Sequence, residues 1–187
     1  TIKFLCLVIT IAYVALLGFF MIGYVRVKPL YFHALKVITS FSIIIPFKNE
    51  DEYLEDLLNS LSMLNYPQHL FEVILVDDKS TDDSERIIKN FKSKNSARYT
   101  LIRNERKTDS PKKDAINKAI SISRFEWILT TDADCIVPKY WLDSFDGFIQ
   151  TTNSCFISVP VNYQNIMTVL DRYQALDQFS LIGAHIG

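Results

Sequence analysis

Four short apolar runs, separated by segments of helical period, constrain the fold of this chain most strongly. The runs have the length of strands and the continuous apolar character of strands buried on both faces. They cover residues 41–47, 71–76, 99–102 and 126–131. Strand and helix patterns alternate three times, which predicts an α/β fold with a mostly parallel sheet flanked by helices and joined by right-handed crossovers. After Trp141 the pattern is weaker and predicts a strand over 156–161 and a helix over 167–182.

A stretch of 22 residues, Phe4 to Val25, contains no charged side chain. As an α-helix it would be about 33 Å long, which matches the roughly 30 Å core of a bilayer. A cleaved secretory signal is the alternative, but the stretch is longer than the apolar part of such signals, and no small-x-small cleavage site closes it. The sequence therefore predicts that a single transmembrane helix precedes the α/β domain.

The charges around this stretch predict its orientation. Residues 1–36 contain no carboxylate, and three of their four cations, Arg26, Lys28 and Lys36, follow the apolar stretch. By the positive-inside rule, the part of the chain after the anchor then stays in the cytoplasm. We expect an anchor with a basic juxtamembrane linker over 1–36 and a catalytic domain over 37–187. Because the chain stops inside an apolar pattern, we expect that domain to be truncated at its C-terminal side.

Composition excludes several classes of partner. The net charge is −1, whereas nucleic-acid-binding domains usually carry a basic excess, so we expect no nucleic-acid partner. The three cysteines have no metal-ligand spacing, and no glycine occurs between residues 24 and 146. The early elements therefore lack a P-loop or a GxGxxG turn, and any phosphate has to be bound in another way.

Acidic residues follow three of the predicted strands. Glu50 comes after the first, Asp77 and Asp78 end the second, and Asp132 and Asp134 follow the fourth. In parallel sheets, ligands bind at the carboxyl ends of the strands. Helix capping is the alternative for Glu50, and it is the preferred interpretation for Asp82 and Glu85, which have capping-box spacing.

Asp132 and Asp134 carry the strongest chemical signal. Two residues apart near a strand end, their side chains can point to the same side. At about 4 Å and an effective dielectric constant near 20, two such charges repel each other by roughly 4 kcal/mol. A bound cation relieves this repulsion, and carboxylate oxygens suit Mg²⁺ or Mn²⁺.

Lys112 and Lys113 lie where cations are unfavourable. Ser110 and Pro111 have the pattern of a cap and a first helical residue, which places both lysines in the first turn, against the helix dipole. A diphosphate bound at this helix start would compensate for that cost. The alternative is that both are solvated surface lysines.

These motifs together resemble those of family 2 glycosyltransferases. PFKNE (46–50), VDDKSTDDS (76–84), PKKDAIN (111–117) and TDADC (131–135) occur in the order and spacing of that family, over roughly residues 41–145. The resemblance implies a GT-A, Rossmann-like fold and a nucleoside-diphosphate-sugar donor, with a UDP-sugar as the first choice. It also implies a divalent metal and transfer with inversion to a hydroxyl acceptor. The predicted anchor suggests that this acceptor lies at the membrane, either lipid-linked or a polysaccharide.

The resemblance also implies roles for individual residues. Pro46 and Glu50 would line the nucleoside pocket, and Asp77 and Asp78 would contact base and ribose. Lys112 would bind the diphosphate. Asp132 and Asp134 would form the catalytic pair, with Asp132 nearer the ribose and Asp134 as the metal ligand.

The sequence departs from the family pattern in three respects, one of which is Pro111 in place of a common glycine. Lys79 stands where the family usually has glycine, and in a turn with positive φ it would cost about 1 kcal/mol. The acidic general base and the QxxRW-type segment of the family are not found before Gly187. Two other functions therefore stay open: a nucleotide-sugar-binding module without catalysis, and a membrane-anchored DxD phosphatase. For the phosphatase, the aspartates are expected after the first strand.

Overall fold

The computed structural model describes residues 2–26, 36–94, 98–152, 154–159, 161–163, 167–175 and 178. By contacts the chain divides into two compact units, one of Thr1–Tyr31 with Ser154–Gly187 and one of Phe32–Asn153. The second unit contains the sheet. The domain boundary expected after residue 36 stays a prediction.

The sheet has four parallel strands. They are β1 (Phe41–Phe47), β2 (Phe71–Asp77), β3 (Tyr99–Arg103) and β4 (Trp127–Thr130), in the spatial order β3-β2-β1-β4. The predicted α/β fold with a parallel sheet is confirmed, and each predicted strand lies within one residue of the observed one at either end. Strand β1 is central because it pairs with β2 on one side and β4 on the other.

Five α-helices and one short 3₁₀ segment accompany the strands in the described chain up to residue 152. They are α1 (Ile2–Arg26), α2 (Leu54–Ser62), the 3₁₀ segment Gln68–Leu70, α3 (Ser84–Lys94), α4 (Pro111–Ile120) and α5 (Trp141–Thr151). In α2 the four leucines at helical spacing are fully buried. Helix α4 begins at Pro111, as predicted, so Lys112 and Lys113 lie in its first turn.

Helices pack on both faces of the sheet. On one face, Ala115 and Ala119 of α4 form a buried cluster with Ile44, Ile74 and Val76 of the central strands. Successive side chains of a strand point to opposite faces, so Phe41 belongs to the other face. There its ring lies 6.5 Å from that of Phe145 in α5, measured between centroids.

A buried carboxylate fastens the start of β4 to the sheet. Glu72 of β2 accepts hydrogen bonds from the Ser42 hydroxyl (2.7 Å), the Arg124 backbone N–H (2.7 Å) and the Arg124 guanidinium (2.8 Å). Burial raises the pKa of Glu72, but these hydrogen bonds and the Arg124 charge outweigh it, so the pKa is lowered. Glu72 therefore stays ionised and holds the turn that leads into β4.

Helix α5 was not predicted from the sequence, although its apolar residues have helical spacing. It also holds the chain segment that enters β1. Asp146, which is 3% exposed, accepts the Thr39 backbone N–H at 3.0 Å and the Gln150 amide at 2.8 Å. Gln150 also donates to the Lys36 carbonyl at 3.1 Å. The segment before β1 is thus fixed at the amino-terminal edge of the sheet.

The other unit contains the long apolar helix. The helix predicted from Phe4 to Val25 is confirmed within α1, and residues Lys3–Gly23 are long and apolar enough to cross a membrane. Most of its described large apolar side chains are exposed, for example Phe4 at 72% and Val25 at 79%.

The prediction for residues 156–161 was wrong where the structure describes them. Residues 156–159 and 161 form no strand, because in the described part of the chain no neighbouring strand pairs with this segment. Residues 169–175 and 178 are helical, in agreement with the helix predicted over 167–182. Residues 160, 176–177 and 179–182 of these two predictions lie outside the described residues.

Among the residues that the structure describes, two other than glycine have a positive φ, each in the loop after a central strand. Asn49 after β1 has φ 56°, and Lys79 after β2 has φ 64°. The positive φ considered for Lys79 is confirmed. Asparagine tolerates this conformation better than lysine does. The Asn49 side chain also stabilises its loop, because its amide oxygen accepts a hydrogen bond from the Thr81 backbone N–H at 2.8 Å.

We expect Lys79→Gly to raise the free energy of unfolding by up to about 1 kcal/mol, because glycine adopts positive φ without steric cost. Asn49→Gly is the contrasting variant and should lower it, because Thr81 loses its acceptor. Urea denaturation of the full chain in detergent measures both changes. A loss of stability in Lys79→Gly would contradict the strain assigned to this residue.

Candidate functional site

A cleft lies at the carboxyl ends of β1, β2 and β4, beside the start of α4. Its volume is about 470 Å³. Six of its eleven lining residues are charged, and it contains six of the seven predicted site residues. The lining residues are Pro46, Phe47, Lys48, Glu50, Asp78, Pro111, Lys112, Ala115, Asp132, Ala133 and Asp134.

Hydrogen bonds from backbone N–H groups of the loop after β1 to side chains of the loop after β2 hold the two loops together. The N–H groups of Asn49 and Glu50 donate to the hydroxyls of Ser80 and Ser84, both at 3.0 Å. The Asp51 N–H donates to Asp82 at 3.1 Å. The wall of the cleft that carries Pro46 and Glu50 is therefore held by the loop that follows Asp78.

Asp82 has the structural role predicted for it. Its carboxylate also accepts the Ser84 N–H at 3.1 Å at the start of α3. Glu85 does not close a capping box with it; its carboxylate pairs with Lys89 at 2.7 Å and Arg103 at 3.3 Å. Neither residue lines the cleft.

Asp77 and Asp78 differ in where their side chains lie. Asp77 is 4% exposed, and its carboxylate accepts the Ser80 N–H at 2.8 Å, which shapes the turn that contains Lys79. It is the one predicted site residue outside the cleft lining. Asp78 is 8% exposed and lines the cleft.

Asp78 is held by two residues that sequence reasoning missed. Arg106 donates to both carboxylate oxygens, at 2.8 and 2.5 Å, and Asn104 donates at 2.8 Å. These bonds, led by those from Arg106, outweigh burial and lower the pKa of Asp78. Asn104 also donates to the Pro111 carbonyl at 2.9 Å, which links β2 to the start of α4. Their only sequence signal was their place directly after β3.

The loop before α4 is folded back on its first turn by Asp114. Its carboxylate accepts the N–H groups of Lys107 and Thr108, both at 2.8 Å, and the Thr108 hydroxyl at 3.0 Å. The Thr108 hydrogen bond is the first cause of the lowered pKa of Asp114, with burial opposing it. The start of α4 therefore presents Lys112 to the cleft from a fixed position.

The acidic pair follows β4 in a short turn. Ala133 between the two aspartates is 3% exposed, so its burial leaves Asp132 and Asp134 on the solvent side, facing the cleft. The ammonium of Lys112 lies 2.5 Å from a carboxylate oxygen of Asp132. The structure thus brings together the acidic pair and the lysine, as predicted.

The negative charges of Asp132 and Asp134 act on Glu50. Burial, followed by the negative charges of Asp134, Asp82 and Asp132, raises the pKa of Glu50. The negative charges of Asp134, Asp82 and Asp132 therefore add up at Glu50.

The carboxylates of the cleft suit a divalent cation that a phosphate also binds. Among the described residues there is no group of three or more His, Cys, Asp or Glu side chains placed to hold a metal ion. Mg²⁺ is commonly bound by one or two carboxylates together with substrate phosphates. The exposed carboxylate of Asp134 in the cleft offers one oxygen ligand of this kind.

Comparison with known proteins identifies the class. The sequence pattern of glycosyl transferase family 2 matches residues 42–180, so the chain belongs to this family. The fold is that of its GT-A members: a crystal structure of Staphylococcus aureus TarS with UDP-GlcNAc is similar to this chain with a TM-score of 0.54 and 27% identity. That match covers 67% of this chain and 39% of the TarS chain.

Two curated relatives and one further structure extend this result. The chain is 32% identical to the poly(ribitol-phosphate) β-N-acetylglucosaminyltransferase TarS of S. aureus over 114 residues, 61% of this chain and 19% of TarS. It is 24% identical to the poly-β-1,6-N-acetyl-D-glucosamine synthase of Staphylococcus epidermidis over 150 residues, 78% of this chain and 34% of the synthase. The chain thus spans a fifth to a third of these relatives.

The mannosyltransferase PcManGT of Pyrobaculum calidifontis, solved with GDP-Man and Mn²⁺, has the same fold. Its TM-score is 0.60 at 21% identity, over 88% of this chain and 46% of that one.

We expect Arg106→Gln to destabilise the domain at neutral pH, because Asp78 would stay buried without its main partner. A carboxyl whose pKa is lowered by folding contributes stability above its unfolded pKa, and this contribution is lost as the pH falls through the folded pKa. The difference in free energy of unfolding between wild type and Arg106→Gln should therefore shrink when the pH falls below 3.8, the ordinary pKa of an aspartate. Urea denaturation at a series of pH values measures it.

Arg86→Gln is the matched control. Arg86 and Asp83 form a similar fork, with bonds of 2.9 and 2.7 Å, but their side chains are 65% and 59% exposed. This variant should change stability little, since exposed ion pairs contribute little. Equal effects of the two variants would contradict the role given to Arg106.

Proposed function

We propose that this chain forms the donor-binding part of an inverting glycosyltransferase that moves a sugar from a nucleoside-diphosphate sugar to a hydroxyl acceptor. One observation carries the proposal: Asp132, Asp134 and Lys112 converge on a single cleft at the carboxyl ends of parallel strands. Membership of glycosyl transferase family 2 supports it and disfavours the phosphatase alternative.

Each lining residue has a role that follows from its charge and position. Lys112, in the first turn of α4, binds the diphosphate together with the N–H groups of that helix start. Pro46, Glu50 and Asp78 line the nucleoside side, with Asp78 held ionised by Arg106. Asp77 supports them by shaping the turn after β2.

The leaving diphosphate sets the chemistry. When bound at Asp134, Mg²⁺ or Mn²⁺ would supply positive charge to the oxygens of the leaving group. Lys112 adds a second positive charge where negative charge develops. Asp132 lies beside Lys112 and faces the side proposed for the ribose. The acidic pair, Asp132 and Asp134, therefore serves donor binding and stabilisation of the leaving group.

A UDP-sugar is the proposed donor. The support is the TarS structure that holds UDP-GlcNAc, from a protein 27% identical to this chain. For the acceptor we propose a lipid-linked sugar or a polysaccharide at the membrane, because the apolar helix α1 would hold the domain there.

We expect the full chain in detergent to bind UDP more tightly with Mn²⁺ than with EDTA. Asp134→Asn should weaken UDP binding in Mn²⁺ by about tenfold or more, because a charged ligand to the metal is lost. Isothermal titration calorimetry measures both effects.

Asp109→Asn is the matched control, since Asp109 is an exposed acid outside the cleft lining. UDP binding that does not respond to Mn²⁺ or to Asp134→Asn would disprove the metal assignment. UDP binding without sugar transfer, measured in the full-length protein with a UDP-sugar, would favour the binding-module alternative.

We further propose that α1 anchors the protein with its catalytic domain in the cytoplasm. Arg26 and Lys36 support this orientation, because cations flanking a span favour the cytoplasmic side. In sealed vesicles with the cytoplasmic face inside, added protease should leave the domain intact until detergent opens the membrane. Cleavage of the domain in intact vesicles would contradict the orientation.

A further inference from the structure

Lys112 and Asp132 neutralise each other across the cleft. The lysine comes from the first turn of α4 and the aspartate from the turn after β4, yet their charged atoms lie 2.5 Å apart. The two side chains are 61% and 56% exposed, so burial does not force the contact. Exposed ion pairs contribute little free energy, which means that a competing charge can open this one easily.

The two aspartates of the acidic pair therefore differ in their partners. Asp132 has a cation at its carboxylate, whereas Asp134 forms no ion pair within the described residues and accepts a weak hydrogen bond from the Cys135 thiol at 3.8 Å. The neighbouring Lys113 is exposed and lies outside the cleft lining. Only one of two adjacent lysines thus supplies positive charge to the pair.

We propose that Lys112 is an exchangeable counter-cation: it neutralises Asp132 while the cleft is empty and transfers to the diphosphate when metal and nucleotide enter. This inference rests on the proposed function and extends it to the order and coupling of binding. The ammonium at Asp132 lowers the negative potential that attracts a free divalent cation. Metal alone therefore binds weakly, and a diphosphate that draws Lys112 away strengthens metal binding, with the reciprocal effect required by linkage.

Mn²⁺ binding to the full chain in detergent, followed by electron paramagnetic resonance, tests the first consequence. Lys112→Met should bind Mn²⁺ alone about fivefold or more tightly than wild type, because the competing ammonium is gone. Lys113→Met removes the same charge one residue away and should bind Mn²⁺ as wild type does. Saturating UDP should strengthen Mn²⁺ binding less in Lys112→Met than in wild type.

Pyrophosphate binding in EDTA tests the second consequence, that release of Lys112 from Asp132 strengthens the binding of a diphosphate. Asp132→Asn frees Lys112, so pyrophosphate should bind about fivefold more tightly than to wild type. Asp134→Asn removes the same negative charge from the same cleft but leaves the Lys112 contact in place, so its effect should be smaller. Calorimetric titration with inorganic pyrophosphate measures the difference.

The inference is overturned if Lys112→Met binds Mn²⁺ alone as wild type does, or if Lys113→Met tightens it equally. It is also overturned if the two aspartate variants bind pyrophosphate alike. These outcomes are separate from the proposed function, which fails instead if wild type binds no UDP with Mn²⁺ present. In that case the Mn²⁺ comparison still decides whether Lys112 competes with a cation.

Discussion

The parallel pairing of β1 with both of its neighbours is the constraint on which the site depends. Phe41 is opposite Phe71 on one side and Trp127 on the other, so the three strands start level. Because they run in the same direction, their following loops emerge at the same edge of the sheet. The acids after β1, β2 and β4 meet there without being close in sequence.

The loops at that edge are held by polar side chains that do not themselves face the cleft. Ser80 and Ser84 accept backbone N–H groups of the β1 loop, and Asp114 folds back the loop before α4. Such satisfied hydrogen bonds fix the backbone that carries Glu50 and Lys112 before a ligand arrives.

Much of the fold could be predicted from sequence because buried parallel strands and the leucine face of α2 leave periodic apolar patterns. Helix α5 also has helical spacing, but its buried Asp146 interrupts the apolar face. The strand expected over 156–161 was wrong because a run of apolar residues does not reveal whether a partner strand exists.

The site was predictable in part for a similar reason. Pro46, Glu50, Asp78, Lys112, Asp132 and Asp134 belong to motifs, and they line one cleft. Arg106 and Asn104 could not be predicted, since their contact with Asp78 depends on how the loop after β3 folds back over the sheet. Adjacent residues of a strand point in opposite directions, but the sequence could not show which of the two aspartates faces the cleft and which turns toward Ser80.

The attachment of β4 has a consequence for how the domain moves. This strand has four residues, one hydrogen-bonded neighbour among the described strands, and side chains that are only partly buried. Glu72 secures its leading end through Arg124, while the acidic pair lies at the trailing end. Segments with few buried contacts open locally most easily, so amide hydrogens near Asp132 should exchange with solvent sooner than those of β1. The nucleotide of the proposed function would then slow that exchange by bridging the trailing end of β4 to α4.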